Sequence, residues 1–289
     1  MIKDFLRRRQ SLMGKIMLDA GLISSEQLKE GLKISKKTNK LLGETLIELN
    51  HISDKDLKVA LQEQLSLSIV PIKKHDLDTP EVAEFYRLHT NVKFALFSDD
   101  PISTLMITSS VPGEGKTLTV SYFALVMANV LNKKTLLVDA DMRHPAVDLQ
   151  FGYRAEYGLA DVIVDSKKID ECIHDTEIEN LKILPCGTKP PNPAALLASN
   201  KFKDIIEELK GKFDLIIFDS SPMYPVADAS LLSANVDAAI LVIEANSTRR
   251  GVVQRAANTL KESNCKLLGT VLNQVDAEMP KYSYKGYGY

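Results

Sequence analysis

The chain has 289 residues, more than one average domain, and its 45% hydrophobic and 26% charged residues are ordinary for a soluble globular protein. The net charge of -2 gives no global field that would attract nucleic acid or an anionic membrane. The three cysteines, Cys172, Cys186 and Cys265, are scattered, which argues against a disulfide framework or a zinc site and favours a reducing compartment.

Neither a membrane-spanning helix nor a secretory signal is predicted. The longest strongly apolar run, Ala238 to Ile243, has the length of a strand and is bounded by charged residues. Arginines at positions 7 to 9 are followed by Lys15 and Asp19, which interrupt any apolar core of a signal. We therefore predict a cytoplasmic protein, for which any membrane role must come through a partner.

Residues 1 to 70 contain an internal repeat with an offset of 29, in which Gly14 matches Gly43 and Ser24 matches Ser53. Each copy predicts a short apolar helix, a break, and a second helix whose serine starts a capping box or a looser variant of one. Leucines four residues apart supply one buried stripe on these helices. Two such helical hairpins packed together form a predicted small domain.

Residues 71 to 80 are polar, with prolines at both ends, and predict a linker; residues 81 to 96 predict a helix. From Ser103 onward, apolar strands alternate with helices, which favours an α/β fold with a doubly wound, mostly parallel sheet. Sites in such sheets lie beyond the carboxyl ends of the strands. The predicted strands are Thr104–Thr108, Thr135–Val138, Leu181–Leu184, Leu215–Phe218, Ala238–Ile243 and Lys266–Leu272, and the main helices are Lys116–Leu131, Lys201–Lys210 and Arg250–Ser263.

Residues 110 to 117, Ser-Val-Pro-Gly-Glu-Gly-Lys-Thr, stand between the first strand and a helix, which is the context of a P-loop. The glycines let backbone N–H groups approach phosphates, Lys116 is predicted to reach the outer phosphates, and Thr117 to ligate Mg²⁺. Ser110 stands where the usual motif begins with glycine, and a Gly-rich turn that only caps a helix is the alternative. The predicted phosphate-binding residues are Pro112, Gly113, Glu114, Gly115, Lys116, Thr117 and Leu118.

Carboxylates follow two of the predicted strands. Asp139 and Asp141 come directly after the second strand, and Asp219 follows Leu215–Phe218. Mg²⁺ prefers oxygen ligands, and carboxylates at strand ends beside a P-loop provide them. Each aspartate alone is better explained as a strand-end cap, but the three motifs in this order predict a site for a nucleotide with Mg²⁺.

The P-loop, the D-x-D-x-R motif at 139 to 143 and the D-S-S-P motif at 219 to 222 together resemble the bacterial tyrosine autokinases of exopolysaccharide and capsule synthesis, which belong to the MinD/ParA-like superfamily. Residues 187 to 193 resemble that family's G-x-x-P-P-N-P segment. The resemblance covers residues 81 to 289 and implies an ATP-dependent protein tyrosine autokinase. The alternative is a nucleotide-switch ATPase of the partitioning or septum-site type, whose signature lysine would stand at Val111.

The resemblance also implies phosphoacceptors. Four of the nine tyrosines lie in the last eight residues, separated by small residues, so we expect residues 281 to 289 to form a flexible tail. Kinases of this family autophosphorylate such a cluster, usually in a neighbouring subunit; on composition alone, the segment also fits a frayed terminus. The implied phosphoacceptors are Tyr282, Tyr284, Tyr287 and Tyr289.

Roles in the site follow from the same resemblance. Asp139 would be the base or aligner for the tyrosine hydroxyl, while Asp141 and Asp219 would organise Mg²⁺ together with Thr117. Arg143 would steady phosphate charge or a neighbouring subunit, with a structural ion pair as the alternative. Asn273 stands where related ATPases recognise adenine, although a turn-forming asparagine is the stronger alternative. The implied catalytic residues are Lys116, Asp139, Asp141 and Asp219.

The family's partners are implied too: a membrane-embedded polysaccharide co-polymerase, other copies of the chain, and sugar-nucleotide enzymes as further substrates. Glu84 and Arg87 fit the first half of the family's E-x-x-R-x-x-R assembly helix, but no second arginine follows near His89. The N-terminal domain resembles that of type II secretion and pilus ATPases, some of which bind cyclic di-GMP. Leu12 and Leu41 replace the arginines expected there, so a docking or regulatory module is favoured over a cyclic di-GMP site.

Overall fold

The structure is a computed structural model that describes residues 13–18, 20–38, 40, 42–53, 56–57, 60, 72–96, 102–263 and 265–275. The chain divides into two compact units, residues 1 to 70 and residues 71 to 289. None of the helices in the described ranges is long and apolar enough to cross a membrane.

The smaller unit contains a helical segment at residues 13–18, helix α1 (Ser25–Thr38) and helix α2 (Leu42–Glu48). The glycines of the repeat explain its register: a Cβ on Gly14 would lie 2.8 Å from Leu28 Cδ1, and one on Gly43 would lie 2.5 Å from Leu57 Cδ1. In each copy, therefore, the glycine packs closely against the leucine that stands 14 positions later in the repeat, where any side chain would clash. The buried apolar residues are Met13, Ile16, Met17, Ile23, Leu42, Leu46, Ile52 and Ala60.

Both predicted caps are present in the smaller unit. The Gln27 N–H donates to Ser24 Oγ and the Ser24 N–H donates to Gln27 Oε1, which completes the capping box. The Asp56 N–H donates to Ser53 Oγ, and the Ser53 N–H donates to Asp56 Oδ2 in the second copy. The shorter aspartate therefore serves the same purpose as glutamine in the first copy.

Residues 72 to 79, most of the predicted linker, are structured parts of the larger unit rather than a free connector. The Ile72 N–H donates to Gln150 O at 2.7 Å, and the Ile72 side chain is buried. Lys74–Asp78 forms a 3-10 helix, in which Asp76 Oδ2 accepts the Lys73 N–H. The polar composition predicted a linker, but Ile72 is buried in the core of the larger unit and Leu77 packs against the same core, and these few apolar contacts anchor the segment.

The larger unit is built on a seven-stranded sheet in the order β3-β4-β2-β5-β1-β6-β7, parallel except for the β3–β4 pair. The predicted doubly wound α/β fold is confirmed. Its strands are β1 Thr104–Ser109, β2 Thr135–Asp139, β3 His174–Asp175, β4 Leu181–Leu184, β5 Leu215–Asp219, β6 Ala238–Glu244 and β7 Lys266–Asn273, and its helices are α3 Pro80–Leu96, α4 Lys116–Leu131, α5 Val147–Gln150, α6 Leu159–Ile163, α7 Ile169–Cys172, α8 Pro193–Leu197, α9 Asn200–Lys210, α10 Asp228–Ser233 and α11 Arg250–Glu262.

Helices cover both faces of the sheet, so the central strands are buried throughout. In β1, Leu105 and Ile107 belong to one apolar core and Met106 to the other, because successive side chains of a strand point to opposite faces. This explains why the strands are continuous apolar runs rather than alternating ones.

Five strands extend one residue beyond the predicted apolar run, because backbone pairing continues where burial of apolar side chains stops. β1 pairs with β5 on one side and with β6 on the other. The chain moves to opposite sides of β1 to build the two halves of the sheet, and such a switch point leaves a crevice at the carboxyl ends of the strands. The five added residues are polar and all stand at that edge: Ser109, Asp139, Asp219, Glu244 and Asn273.

Candidate functional site

The loop between β1 and α4 bends tightly enough to require two glycines. Gly113 has a φ of 93° and Gly115 a φ of 83°, both in the left-handed region that side chains disfavour. A Cβ on Gly115 would also lie 2.2 Å from Asn273 Nδ2. Helix α4 begins at Lys116 without a side-chain cap, so its N-terminus presents backbone N–H groups to the loop. Such a loop and helix end form a phosphate cradle.

Lys116 brings together carboxylates from two strands. Its Nζ lies 2.7 Å from Asp141 Oδ2 and 3.7 Å from Asp219 Oδ1, and it donates to Thr117 Oγ1 at 3.1 Å. Thr117 Oγ1 in turn donates to Asp219 Oδ2 at 2.7 Å. The P-loop pair Lys116 and Thr117 therefore meets Asp141 and Asp219, which come from distant parts of the sequence, at one point.

Burial and mutual charge shift the pKa values of the ionisable residues in this cluster. Burial raises the pKa of Asp219 to about 6 against the opposing pull of Lys116, and burial raises the pKa of Asp139 as well. Burial also acts to raise the pKa of Asp141, but the adjacent ammonium outweighs it and lowers that pKa. Although burial alone would lower the pKa of Lys116, the carboxylates of Asp219 and Asp141 raise it. Two carboxylates thus pair with one ammonium while that of Asp139 lies near it, an excess of negative charge that a cation would relieve.

Asp139 does not contact Lys116 directly. Its Oδ1 accepts the Asp141 N–H at 3.1 Å, and its Oδ2 accepts the N–H groups of Ala146 and Val147 at 2.9 and 3.0 Å. The side chain has no exposed surface. In this structure Asp139 shapes the loop that carries Asp141, and its implied role as a base for tyrosine stays a prediction.

The donor set fits Mg²⁺. Asp219 Oδ1 is buried and accepts no hydrogen bond from any described residue, while Asp219 Oδ2 and Thr117 Oγ1 are already in contact. All candidate ligands are oxygen atoms, as a hard cation requires. Within the described part of the chain no group of three or more His, Cys, Asp or Glu could hold a metal. Mg²⁺ at nucleotide sites needs only one or two carboxylates, because phosphates and waters complete its shell.

Glu114 supports the P-loop in a way that the motif alone does not reveal. Its side chain is fully buried, and Oε2 accepts the Val111 N–H at 2.9 Å. Its Oε1 accepts the Glu244 N–H at 3.1 Å and a hydrogen bond from Thr248 Oγ1. The carboxylate therefore ties the loop to the end of β6, and only the Glu114 backbone remains for the predicted phosphate contact.

We expect Glu114→Ala to lower the free energy of unfolding by about 3 kcal/mol, because it removes an acceptor of three hydrogen bonds and leaves buried donors unpaired. Chemical denaturation measures this change. Glu156→Ala, at an exposed position, is the matched control and should change stability by less than about 0.5 kcal/mol. Equal stabilities of the Glu114→Ala protein and the unmodified protein would contradict this role.

Asn273 also contacts the P-loop. Its Nδ2 donates to Glu114 O at 2.9 Å, and the neighbouring Gln274 Nε2 donates to Gly113 O at 3.2 Å. The end of β7 therefore braces the cradle, and the implied contact of Asn273 with adenine stays a prediction. Of the remaining predicted phosphate-binding residues, Leu118 is 47% exposed and Pro112 is exposed at the rim of the loop.

Sequence reasoning missed the partner of Arg143. Its Nε and Nη2 donate to Asp228 Oδ2 and Oδ1 at 2.6 and 3.0 Å, a bidentate pair. No motif marks Asp228, which stands nine positions after Asp219 on the following helix, so only the fold could reveal it. The structural ion pair considered for Arg143 is therefore present.

The segment at residues 187 to 193 lies after β4, at the same edge of the sheet. Asp161 Oδ2 accepts the N–H groups of Gly158 and Thr188, both at 2.9 Å, and Asn192 Oδ1 accepts the Ala195 N–H to cap α8. A Cβ on Gly187 would lie 2.1 Å from the Gly158 nitrogen, so this contact requires a glycine. The segment thus serves to pack and cap the loops beside the site.

The tail tyrosines, Tyr282, Tyr284, Tyr287 and Tyr289, lie outside the described residues. Their role as phosphoacceptors stays a prediction, as does the cyclic di-GMP alternative, whose expected arginine positions Leu12 and Leu41 also lie outside the described residues.

Comparisons with known proteins agree with this geometry. Residues 103–268 match the family described as an AAA domain. The tyrosine-protein kinase YwqD of Bacillus subtilis is 36% identical over 206 residues, covering 71% of this chain and 85% of that protein. The kinase domain of the Escherichia coli tyrosine kinase ETK has a TM-score of 0.68 and 27% identity, covering 76% of this chain and 86% of that one. The septum site-determining protein MinD of Pyrococcus horikoshii, complexed with Mg-ADP, has a TM-score of 0.52 and 26% identity, covering 58% and 69%.

Proposed function

The chain belongs to the bacterial tyrosine-protein kinases, and from that premise we propose that it transfers the γ-phosphoryl group of ATP to tyrosines of its own C-terminal segment. The acceptors are Tyr282, Tyr284, Tyr287 and Tyr289, presented by a neighbouring copy of the chain. Through this modification the protein regulates the synthesis or export of an exopolysaccharide or capsule. It works at the inner face of the membrane, docked on a membrane-embedded polysaccharide co-polymerase.

One observation carries the proposal: Lys116, Thr117, Asp141 and Asp219 converge beside a phosphate cradle. The transfer forms a bond between the tyrosine oxygen and the γ-phosphorus and breaks the bond from that phosphorus to the β–γ bridging oxygen. ADP leaves, and the hydroxyl proton passes to a carboxylate of the site and then to solvent. Phosphoryl transfer needs positioning and charge neutralisation more than covalent chemistry, and this site offers both.

Each residue has a part that follows from its contacts. Thr117 Oγ1, Asp219 and Asp141 would hold Mg²⁺, which when bound offsets charge on the β- and γ-phosphates. Lys116, already surrounded by anionic oxygens, exchanges its contact with Asp141 for phosphate oxygens. Asp139 keeps the Asp141 loop in place, so the carboxylates stay aligned while the charge on the phosphates changes.

Autophosphorylation of the full chain tests the proposal. We expect incubation with ATP and Mg²⁺ to give phosphotyrosine in the last eight residues, measured by mass spectrometry of the C-terminal peptide. A variant with all four tail tyrosines changed to phenylalanine should lose this signal and keep its nucleotide affinity. ATP hydrolysis with unmodified tyrosines, even with the co-polymerase supplied, would instead favour a nucleotide switch of the kind that the similarity to MinD represents.

A further inference from the structure

The charged pair of Arg143 and Asp228 stands close in the chain to the Lys116 cluster, because Arg143 follows Asp141 by two residues. The Asp228 side chain is only 2% exposed, whereas the Arg143 side chain is 38% exposed. Arg143 is the only partner that the described residues give the Asp228 carboxylate. A buried carboxylate with a single, half-exposed partner adds little net stability to the fold, since the cost of desolvating the charges offsets much of their attraction.

The loop that carries Arg143 is fixed from several directions. Asp139 accepts the N–H groups of Ala146 and Val147, and Asp141 Oδ1 accepts the His144 N–H at 3.1 Å. These bonds hold the backbone around residue 143, but they do not orient its side chain. Asp228, at the start of helix α10, supplies that orientation, because a bidentate pair fixes the plane of the guanidinium as well as its position.

One edge of the Arg143 guanidinium remains available. A guanidinium has five N–H donors, and the contacts with Asp228 use one on Nε and one on Nη2. Within the described residues no other hydrogen-bond acceptor contacts Arg143. Arg143 stands two residues after Asp141, whose Oδ2 lies 2.7 Å from Lys116 Nζ, and next to His144, whose N–H donates to Asp141, so the guanidinium is carried on the same short loop as a residue of the Lys116 cluster.

We propose that Asp228 is a positioning residue that holds the open edge of Arg143 toward a phosphoryl group at the mouth of the site. A fork of parallel N–H donors matches two phosphoryl oxygens, and a lysine could not replace it because an ammonium lacks that planar geometry. The inference rests on the proposed kinase function. The phosphoryl group has two sources, the γ-phosphate of ATP before transfer or phosphotyrosine after it.

The test compares Asp228→Asn, Arg143→Lys, Arg143→Ala and the Arg143→Ala/Asp228→Asn double variant in the full chain. Asp228→Asn and Arg143→Lys should each lower the rate of tail phosphorylation about 10-fold or more, since the first frees the fork and the second removes it. The double variant should be no slower than Arg143→Ala, because Asp228 acts through Arg143. Asp175→Asn, which breaks an exposed pair with Lys182, is the matched control and should keep the full rate.

Calorimetric titration with ATP, ADP and phosphotyrosine identifies the bound group and is a readout that a purely structural pair would not move. If the fork holds the γ-phosphate, Asp228→Asn weakens ATP binding about 10-fold and leaves ADP binding unchanged. If it holds phosphotyrosine, both nucleotides bind as before and phosphotyrosine binds more weakly. Either result supports the inference.

Two results would overturn the inference. One is a folded Asp228→Asn or Arg143→Lys protein that phosphorylates and binds all three ligands as the unmodified chain does. The other is an Asp228→Asn effect that persists in full in the Arg143→Ala background. If Asp228→Asn fails to fold, the rate and the binding of Arg143→Lys decide alone. An unmodified chain that makes no phosphotyrosine would count against the proposed function, while the comparison of ATP with ADP would still decide the role of Arg143.

Discussion

Lys116→Ala should lower the rate of tyrosine phosphorylation by at least about 100-fold, an increase in the activation free energy of about 2.7 kcal/mol. Lys116 is the only cation that the described residues place within 4 Å of Asp141 and Asp219, so its loss leaves the negative charge of the transferred group unopposed on that side. The measurement is the initial rate of phosphotyrosine formation in the tail with saturating ATP and Mg²⁺.

Nucleotide-free Lys116→Ala protein should also be less stable than the unmodified chain. Asp141 and Asp219 are buried, and removing one partner of a buried ion pair leaves an uncompensated charge. Lys134→Ala, an exposed lysine before β2, is the control and should change neither rate nor stability. A Lys116→Ala protein that phosphorylates its tail at more than a tenth of the normal rate would show that transfer occurs elsewhere.

Asp219→Asn should have opposite effects on activity and on stability. Transfer should fall about 100-fold or more, because the change removes a carboxylate that would hold Mg²⁺. One oxygen of this carboxylate contacts Thr117 Oγ1, and the other accepts no hydrogen bond within the described part of the chain. The free energy of unfolding without nucleotide should stay level or rise. The raised pKa of Asp219 means that its buried charge costs stability at neutral pH, and asparagine keeps the shape without the charge.

Rates of phosphorylation and denaturation curves of the same Asp219→Asn preparation measure both effects. Asp165→Asn, which breaks an exposed pair with Lys201, is the control, and neither quantity should change. Clear destabilisation by Asp219→Asn would contradict this expectation, because it would mean that the Asp219 carboxylate stabilises the nucleotide-free fold. Retained activity would remove Asp219 from the site.

Much of this arrangement could be predicted from the sequence because it depends on local patterns. The apolar runs predicted all the long strands of the sheet, and the order of P-loop, D-x-D and D-S-S-P placed Lys116, Asp141 and Asp219 at one edge. Parallel strands bring their carboxyl ends together wherever they stand in the chain, so the convergence follows from the topology.

The parts that the sequence did not reveal depend on contacts between distant segments. Asp228 lies on a short helix with no motif, yet it orients Arg143. The Glu114 side chain belongs to the P-loop in the sequence but hydrogen-bonds across to Thr248. Asp139 and Asn273 have the expected positions, but their side chains contact backbone groups. A sequence motif cannot show whether a side chain contacts the protein backbone or a substrate. Ile72 shows the same limit, since its burial in the core of the larger unit anchors a segment whose polar composition predicted a linker.

The most direct test of the central claim is a crystal structure of the full chain with Mg²⁺ and a non-hydrolysable ATP analogue. We expect the β-phosphate in the loop of residues 110 to 117, Lys116 Nζ on phosphate oxygens instead of Asp141, and the metal beside Thr117 and Asp219. A nucleotide bound elsewhere, or one bound while Lys116 keeps its 2.7 Å contact with Asp141, would contradict the account.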